Sequence, residues 1–146
     1  MGGSSLGGLG AAFCAFHHPG VLGAVLSQSG SFGYYPGWET DSGRTDSSPF
    51  GWLIRKFVTT RKLPIRFYLE AGMFETAVPR GLLADNRRLR DVLEAKGYAL
   101  TYSEFAGGHD YLNWRGSLAD GLIALAGQGQ SRPTRGSPLD RTPSDP

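Results

Sequence analysis

Three kinds of side chain in this sequence together fit nucleophilic catalysis: a serine between glycines, a histidine and a carboxylate. Ser5 lies in Gly3-Ser4-Ser5-Leu6-Gly7, a G-x-S-x-G pattern. This pattern is typical of a sharp strand-to-helix turn, or elbow, with small residues on both sides so that the strained backbone does not clash. A serine hydroxyl is a poor nucleophile until an imidazole within hydrogen-bond reach accepts its proton. The chemistry therefore depends on which histidine reaches Ser5.

The chain has three histidines. His17 and His18 end the helix predicted after the elbow, beside Pro19, where a histidine usually contacts free carbonyl groups or solvent. His109 lies in Ala106-Gly107-Gly108-His109-Asp110, directly after a predicted strand. Open α/β sheets bind their ligands at the carboxyl ends of parallel strands, which makes His109 the candidate base. Its position alone fits an ordinary surface loop equally well.

The third group required is a carboxylate that holds the imidazole tautomer, and it is expected between the serine and the histidine in chain order. Glu75 follows the predicted strand 65–71 within Gly72-Met73-Phe74-Glu75. Glu70 lies inside that strand, and Asp85 lies on the following helix. Glu75 is therefore the better geometric candidate, with simple solvent exposure as the alternative for a loop glutamate.

Helices alternate with short apolar runs along the chain, which predicts an α/β fold with a mainly parallel sheet. About three strands and four helices are predicted. The strands lie within 22–28, 65–71 and 98–105, and the helices within 9–18, 50–61, 79–96 and 115–126. Residues 29–49 read as an irregular loop. We expect one domain over 1–126 and a disordered tail over 127–146, because that tail is too poor in apolar residues to offset its ordering entropy.

The composition argues against several classes of function. A net charge of +2 is too small to indicate nucleic-acid binding, and the arginines at 87, 88 and 90 fit a solvated helix face. A single cysteine, Cys14, excludes an internal disulfide framework. No apolar run approaches the roughly 20 residues of a membrane span. We expect no metal, no cofactor, no nucleic acid and no membrane as partners.

Four blocks of sequence, in the same order, resemble the enterochelin esterase family of α/β-hydrolases. They are Gly3-Ser4-Ser5-Leu6-Gly7-Gly8-Leu9, Leu26-Ser27-Gln28-Ser29-Gly30-Ser31-Phe32, Tyr68-Leu69-Glu70-Ala71-Gly72-Met73-Phe74-Glu75, and Gly107-Gly108-His109-Asp110 with Trp114-Arg115-Gly116 and Leu118-Ala119-Asp120-Gly121-Leu122. The resemblance covers about residues 3–125. It implies a serine esterase with Ser5 as nucleophile, Glu75 as acid and His109 as base.

The resemblance also implies a substrate class. Family members hydrolyse ester bonds in catecholate siderophores such as ferric enterobactin inside the cell, so we expect a small-molecule ester as substrate and a cytoplasmic location. Aromatic side chains are expected to form a wall for a flat aromatic acid, with core packing as the alternative for each. The candidates are Phe32, Tyr34, Tyr35, Trp38 and Trp114.

The sequence departs from the family at its N-terminus, where only Met1 and Gly2 precede the elbow. It therefore predicts the C-terminal part of an α/β-hydrolase fold, without the N-terminal strands and the upstream oxyanion loop. The Leu6 N–H would be one oxyanion donor and that loop the source of the other, so weak activity is expected. An unpaired apolar sheet edge predicts aggregation or association with a complementary segment. The alternative is a truncated or degenerate, non-catalytic fragment.

Overall fold

A computed structural model of the chain describes residues 1–37, 51–76 and 81–127. Strands and helices alternate along it. The strands are β1 (Gly2–Ser4), β2 (Ala24–Gln28), β3 (Arg66–Gly72) and β4 (Ala99–Phe105), and the helices are α1 (Leu6–His17), α2 (Trp52–Thr59), α3 (Leu82–Ala95) and α4 (Tyr111–Gly127). The α/β fold class is confirmed.

The four strands form one parallel sheet in the order β1-β2-β3-β4. The register pairs Gly3 with Ser27 and Leu26 with Tyr68, and it pairs Glu70 with Ser103. Because all strands run the same way, their carboxyl ends meet at one edge of the sheet, where open α/β sheets bind ligands. The segments after β1, β3 and β4 contain the predicted serine, acid and base.

The sheet has one strand more than the sequence predicts, because β1 forms from Gly2–Ser4, directly before Ser5. The terminal ammonium of Met1 donates to the Ala24 carbonyl at 2.8 Å, and the Leu26 N–H donates to the Met1 carbonyl at 3.0 Å. These bonds extend the pairing of β1 with β2. We expected the strand that enters the elbow to be missing. That expectation is wrong, because Gly2–Ser4 form such a strand.

Two helices begin earlier than predicted. Helix α1 begins at Leu6 rather than Leu9, immediately after the elbow serine. Helix α4 begins at Tyr111 rather than Arg115, because the Asp110 carboxylate accepts the Asn113 N–H at 3.0 Å and so caps the first turn. The predicted loop 29–49 is described as far as Gly37, and the rest of it, Trp38 and the predicted tail after Gly127 lie outside the described residues.

Helices cover both faces of the sheet, and three of the four lie on one face. Alternate strand residues such as Val25, Phe67 and Leu69 are buried in a core shared with α1, α2 and α3. The opposite face packs against α4, where a Cβ on Gly121 would lie 2.7 Å from Leu26 Cδ1. A larger residue at this position would therefore require the Leu26 and Tyr68 side chains to shift.

Helix α4 leaves much of its apolar surface uncovered among the described residues. Leu118 is 43% exposed, Leu122 55% and Ile123 69%. Leu118 and Leu122 line an open groove with a volume of about 690 Å³ whose other wall is β1 and Met1. Since β1 is also an edge of the described sheet, the apolar edge predicted from the sequence lies along this groove.

Candidate active site

Ser5 occupies the tip of the turn between β1 and α1. Its φ of 54° and ψ of −123° lie in a region that non-glycine residues rarely adopt, and such strain persists only where the surroundings impose it. Here the Ser5 N–H donates to the Gln28 carbonyl at 2.9 Å, and the Ser31 N–H donates to the Ser5 carbonyl at 3.1 Å. The end of β2 and the turn after it therefore hold the elbow in its strained form.

Two glycines, Gly3 and Gly8, permit this geometry, whereas the motif leads one to expect Gly3 and Gly7. A Cβ on Gly3 would lie 2.7 Å from the Gly7 carbonyl carbon, so Gly3 is required. A Cβ on Gly8 would lie 2.3 Å from Ser27 Oγ and 3.1 Å from the Gly3 carbonyl oxygen. A Cβ on Gly7 meets nothing within 4 Å among the described residues. The close approach of α1 to β2 therefore requires a glycine at position 8 and not at position 7.

His109 reaches the serine from the loop between β4 and α4. Its Nε2 lies 2.9 Å from Ser5 Oγ, a normal hydrogen-bond distance for a proton acceptor. The Phe74 N–H donates to the Gly107 carbonyl at 3.0 Å, and the Met73 N–H donates to the Phe105 carbonyl at 2.9 Å. These bonds continue the pairing of β3 with β4 and join the two loops that carry the acid and the base.

Glu75 completes the set from the turn after β3. Its Oε1 lies 3.3 Å from His109 Nδ1, and the residue is fully buried. Its Oε2 has no hydrogen-bond partner among the described residues. A carboxylate accepts hydrogen bonds only, so the contact requires the proton on Nδ1 and leaves the Nε2 lone pair facing Ser5. The three residues that the sequence predicts are thus brought together.

The two carboxylates that were less favoured lie in other interactions. Asp85 forms an ion pair with Arg88 at 2.7 Å. Glu70 accepts hydrogen bonds from Gln28 Nε2 at 2.9 Å and from Tyr68 Oη at 3.0 Å. Both partners of Glu70 lie on the sheet face that packs against α4. Burial raises the pKa of the Tyr68 hydroxyl, and the neighbouring Glu70 raises it further.

The Gln28 side chain, which sequence reasoning did not single out, connects the sheet to α4. Its Nε2 also donates to the Trp114 carbonyl at 2.7 Å and to Ser117 Oγ at 3.0 Å, and Ser117 Oγ donates to Glu70 Oε1. These bonds fix the start of α4, which carries Trp114. The only sequence signal for Gln28 was its place in the second block of the family resemblance.

Trp114 lies against the base. Its ring centroid is 4.7 Å from that of His109 with the planes at 88°, an edge-to-face arrangement. Its Nε1–H donates to Ser29 Oγ at 3.0 Å. Ser29 has a φ of 51°, so a second strained serine lies at the carboxyl end of the strand beside the elbow. Trp114 is half-buried and borders the site.

The other described aromatic residues predicted to line the substrate site contact the protein interior. Phe32 is fully buried and belongs to the hydrophobic core, which favours the core-packing alternative over a substrate wall because no face of the ring is open to a ligand. Tyr34 is half-buried and packs against the same core. Tyr35 is buried. Tyr34 and Trp114 thus keep partly open surface.

The Leu6 N–H is the first amide of α1. The opening amides of a helix have no carbonyl of their own helix to bind, and the Leu6 N–H donates to no backbone carbonyl among the described residues. The side chain of Leu6 is 57% exposed and does not enter the core. The predicted oxyanion donor is therefore positioned by the elbow itself, next to Ser5.

Residues 1–37, 51–76 and 81–127 contain no cluster of three or more His, Cys, Asp or Glu side chains that would hold a metal ion. Within these same ranges, no helix has the length and apolar character to cross a membrane.

Relatives of this chain are esterases of iron(III) enterobactin and of iron(III) salmochelin. The iron(III) enterobactin esterase of Escherichia coli (strain K12) is 35% identical over 125 residues, which are 86% of this chain and 29% of the relative. The iron(III) salmochelin esterase of Escherichia coli O6:H1 (strain CFT073) is 30% identical over 128 residues, 87% of this chain and 30% of the relative.

The chain is also similar to part of a solved enterobactin esterase structure. The enterobactin esterase from Shigella flexneri, crystallised in the presence of 2,3-dihydroxy-N-benzoyl-glycine, matches with a TM-score of 0.70 and 33% identity over 87% of this chain and 31% of that chain. The chain thus spans about 30% of the length of the relatives it matches. The family model described as "Putative esterase" matches residues 1–125, and this chain therefore belongs to the esterase family which that model describes.

Proposed function

We propose that this chain carries the catalytic residues of a serine esterase that works through an acyl-enzyme. The observation that supports this most strongly is the continuous contact from Ser5 Oγ to His109 Nε2 at 2.9 Å and from His109 Nδ1 to Glu75 Oε1 at 3.3 Å. Three loops at one edge of the sheet supply these groups. A structural serine would have no need of an imidazole whose tautomer is held by a buried carboxylate.

In the proposed reaction Ser5 Oγ attacks the ester carbonyl carbon while its proton passes to His109 Nε2. The carbonyl oxygen becomes an oxyanion, to which the Leu6 N–H donates. When the bond to the alcohol breaks, His109 gives its proton to the departing oxygen. Water then attacks the acyl carbon, its proton passes to His109, and Ser5 leaves with that proton. Glu75 stabilises the imidazolium in both halves.

We propose an ester of a catecholate siderophore as the substrate. Support comes from the relatives, which are esterases of iron(III) enterobactin and iron(III) salmochelin. In this chain Trp114 and Tyr34 are the aromatic groups that would contact a flat catechol acid. Trp114 is the better supported of the two, because its ring lies directly beside His109 and the acyl group must lie within reach of Ser5.

A fluorophosphonate probe tests the nucleophile, because it phosphonylates only an activated serine. The chain is expected to be labelled at Ser5, and Ser5→Ala is expected to abolish labelling. Ser4→Ala is the matched control, since it removes the neighbouring hydroxyl and leaves the relay unchanged. Labelling that survives Ser5→Ala would contradict the assignment. Absence of any labelled serine would favour the alternative of a non-catalytic fragment.

Hydrolysis assays test the substrate class separately from the nucleophile. The same proteins are assayed with ferric enterobactin and with a simple aryl ester, and the products are separated chromatographically. Release of dihydroxybenzoyl-serine that is lost in Ser5→Ala supports the siderophore proposal. If only the aryl ester is hydrolysed, the serine esterase proposal stands and the siderophore ester is excluded as the substrate.

A further inference from the structure

A second hydroxyl contacts the proposed nucleophile. Ser31 Oγ lies 3.3 Å from Ser5 Oγ, and the Ser31 N–H donates to the Ser5 carbonyl at 3.1 Å. Ser31 is thus bound to Ser5 through both backbone and side chain. It lies in the turn after β2, two residues after the strained Ser29, and is half-buried.

The direction of this hydrogen bond follows from the relay. Glu75 holds the proton of His109 on Nδ1, so Nε2 is an acceptor and takes the single hydroxyl proton of Ser5. Ser5 Oγ then has only lone pairs left to offer. The hydroxyl of Ser31 must therefore be the donor in its contact with Ser5. This assignment rests on the proposed serine esterase function.

We propose that Ser31 is a further catalytic residue, whose hydroxyl donates to the attacking oxygen of Ser5. The bond fixes the rotamer of Ser5 and occupies one lone pair, so that the remaining lone pair faces the carbonyl carbon. As the O–H bond of Ser5 breaks, negative charge builds on Oγ before the new C–O bond is complete, and the Ser31 donor stabilises it.

The same contact acts in the second half of the reaction. When water has added to the acyl carbon, the bond from that carbon to Ser5 Oγ breaks and Oγ leaves with developing negative charge. The Ser31 hydroxyl donates to this leaving oxygen until His109 returns the proton. Because the bond is made to Oγ alone, Ser31 is expected to change kcat and to leave KM unchanged.

The rate of fluorophosphonate labelling at Ser5 tests the proposal in the 146-residue chain. Ser31→Ala is expected to lower the second-order rate constant about two- to tenfold, the size of a single hydrogen bond to a neutral hydroxyl. Ser31→Thr keeps the hydroxyl and is expected to restore the rate. Ser27→Ala is the matched control, since Ser27 pairs with Gly3 beside the elbow and its Oγ has no partner among the described residues.

The pH dependence of labelling separates this role from a structural one. Ser31 donates to Ser5 and not to His109, so Ser31→Ala is expected to lower the plateau of the pH–rate profile without moving its midpoint. Loss of the elbow geometry would change both. If Ser31→Ala melts too early to assay, Ser31→Cys keeps the size with a weaker donor and is expected to show a smaller loss of rate.

The outcomes distinguish the two proposals. If the unmodified chain is labelled at Ser5 and Ser31→Ala is labelled equally fast, the role of Ser31 is wrong and the esterase proposal stands. If the chain is not labelled, or if Ser5→Ala is labelled like the unmodified chain, the esterase proposal fails and the Ser31 proposal fails with it.

Discussion

Replacement of Glu75 by glutamine changes the proton relay while keeping its shape. The carboxylate accepts the Nδ1–H of His109 through Oε1, and Oε2 has no partner among the described residues. A glutamine amide can therefore be placed in two ways. Either its NH2 takes the Oε2 position, buried and without an acceptor, or the NH2 faces Nδ1 and the histidine proton moves to Nε2.

The second placement is favoured, because the first leaves a buried donor without an acceptor. A buried donor without a partner costs about 1 to 3 kcal/mol, which makes the productive tautomer about 5- to 150-fold less populated. The variant also loses a charge-assisted bond to the imidazolium, about 1.5 to 3 kcal/mol in the transition state. Glu75→Gln is therefore expected to lower kcat about 10²- to 10⁴-fold.

The assay is the rate of aryl-ester hydrolysis together with fluorophosphonate labelling at Ser5, each measured with thermal unfolding as a check on folding. Glu94→Gln is the control, because it makes the same chemical change at an exposed position of α3. A folded Glu75→Gln protein that reacts within threefold of the unmodified chain would refute the reasoning, since Glu75 would then not set the histidine tautomer.

Three other outcomes follow from the fold. Gly8→Ala is expected to destabilise the chain by about 1 to 3 kcal/mol through overpacking and to slow labelling of Ser5. The control Gly10→Ala adds a Cβ that would meet nothing within 4 Å among the described residues, and it is expected to be stabilising in chemical denaturation. The hydrogen bond from Arg87 lowers the pKa of Glu104 to about 2 from 4.5, so the pair stabilises the fold above pH 4.5 and this contribution is lost as pH falls toward 2. Glu104→Gln is therefore expected to lower the melting temperature slightly at pH 7 and not at pH 2, because Arg87 is half exposed and solvent screens the pair. An equal effect at both pH values would contradict this. Leu122→Gln is expected to reduce self-association in sedimentation velocity, because Leu122 is 55% exposed beside the groove, and an unchanged average mass would count against the apolar groove as its cause.

The regular elements were largely predictable because burial in a parallel sheet leaves a strong local signal. Strand β3 begins one residue after the predicted start, and β4 ends at the predicted Phe105. The short strand β1 was missed, since three small residues carry no apolar period and pair only through backbone bonds to β2. The start of α4 was missed because it depends on one cap, Asp110, rather than on periodicity.

The contact between the three candidate residues was predictable because chain order and topology restrict where they lie. Ser5, Glu75 and His109 each follow a strand of one parallel sheet, so their meeting follows from topology. The contacts of Ser31 and Gln28 were missed because only the tertiary structure defines them. The role of Gly8 rather than Gly7 also depends on how closely α1 approaches β2.

Proton transfer and charge stabilisation lower the barrier separately. In the proposed relay, three loops hold Ser5, His109 and Glu75 in contact. The proposed oxyanion donor is the Leu6 N–H, and removal of one donor from an oxyanion site costs about 3 to 4 kcal/mol. A protein with the relay and only one donor is expected to react readily with an activated phosphonate and to hydrolyse an unactivated ester slowly. The ratio of these two rates therefore measures how much of the oxyanion site the protein contains.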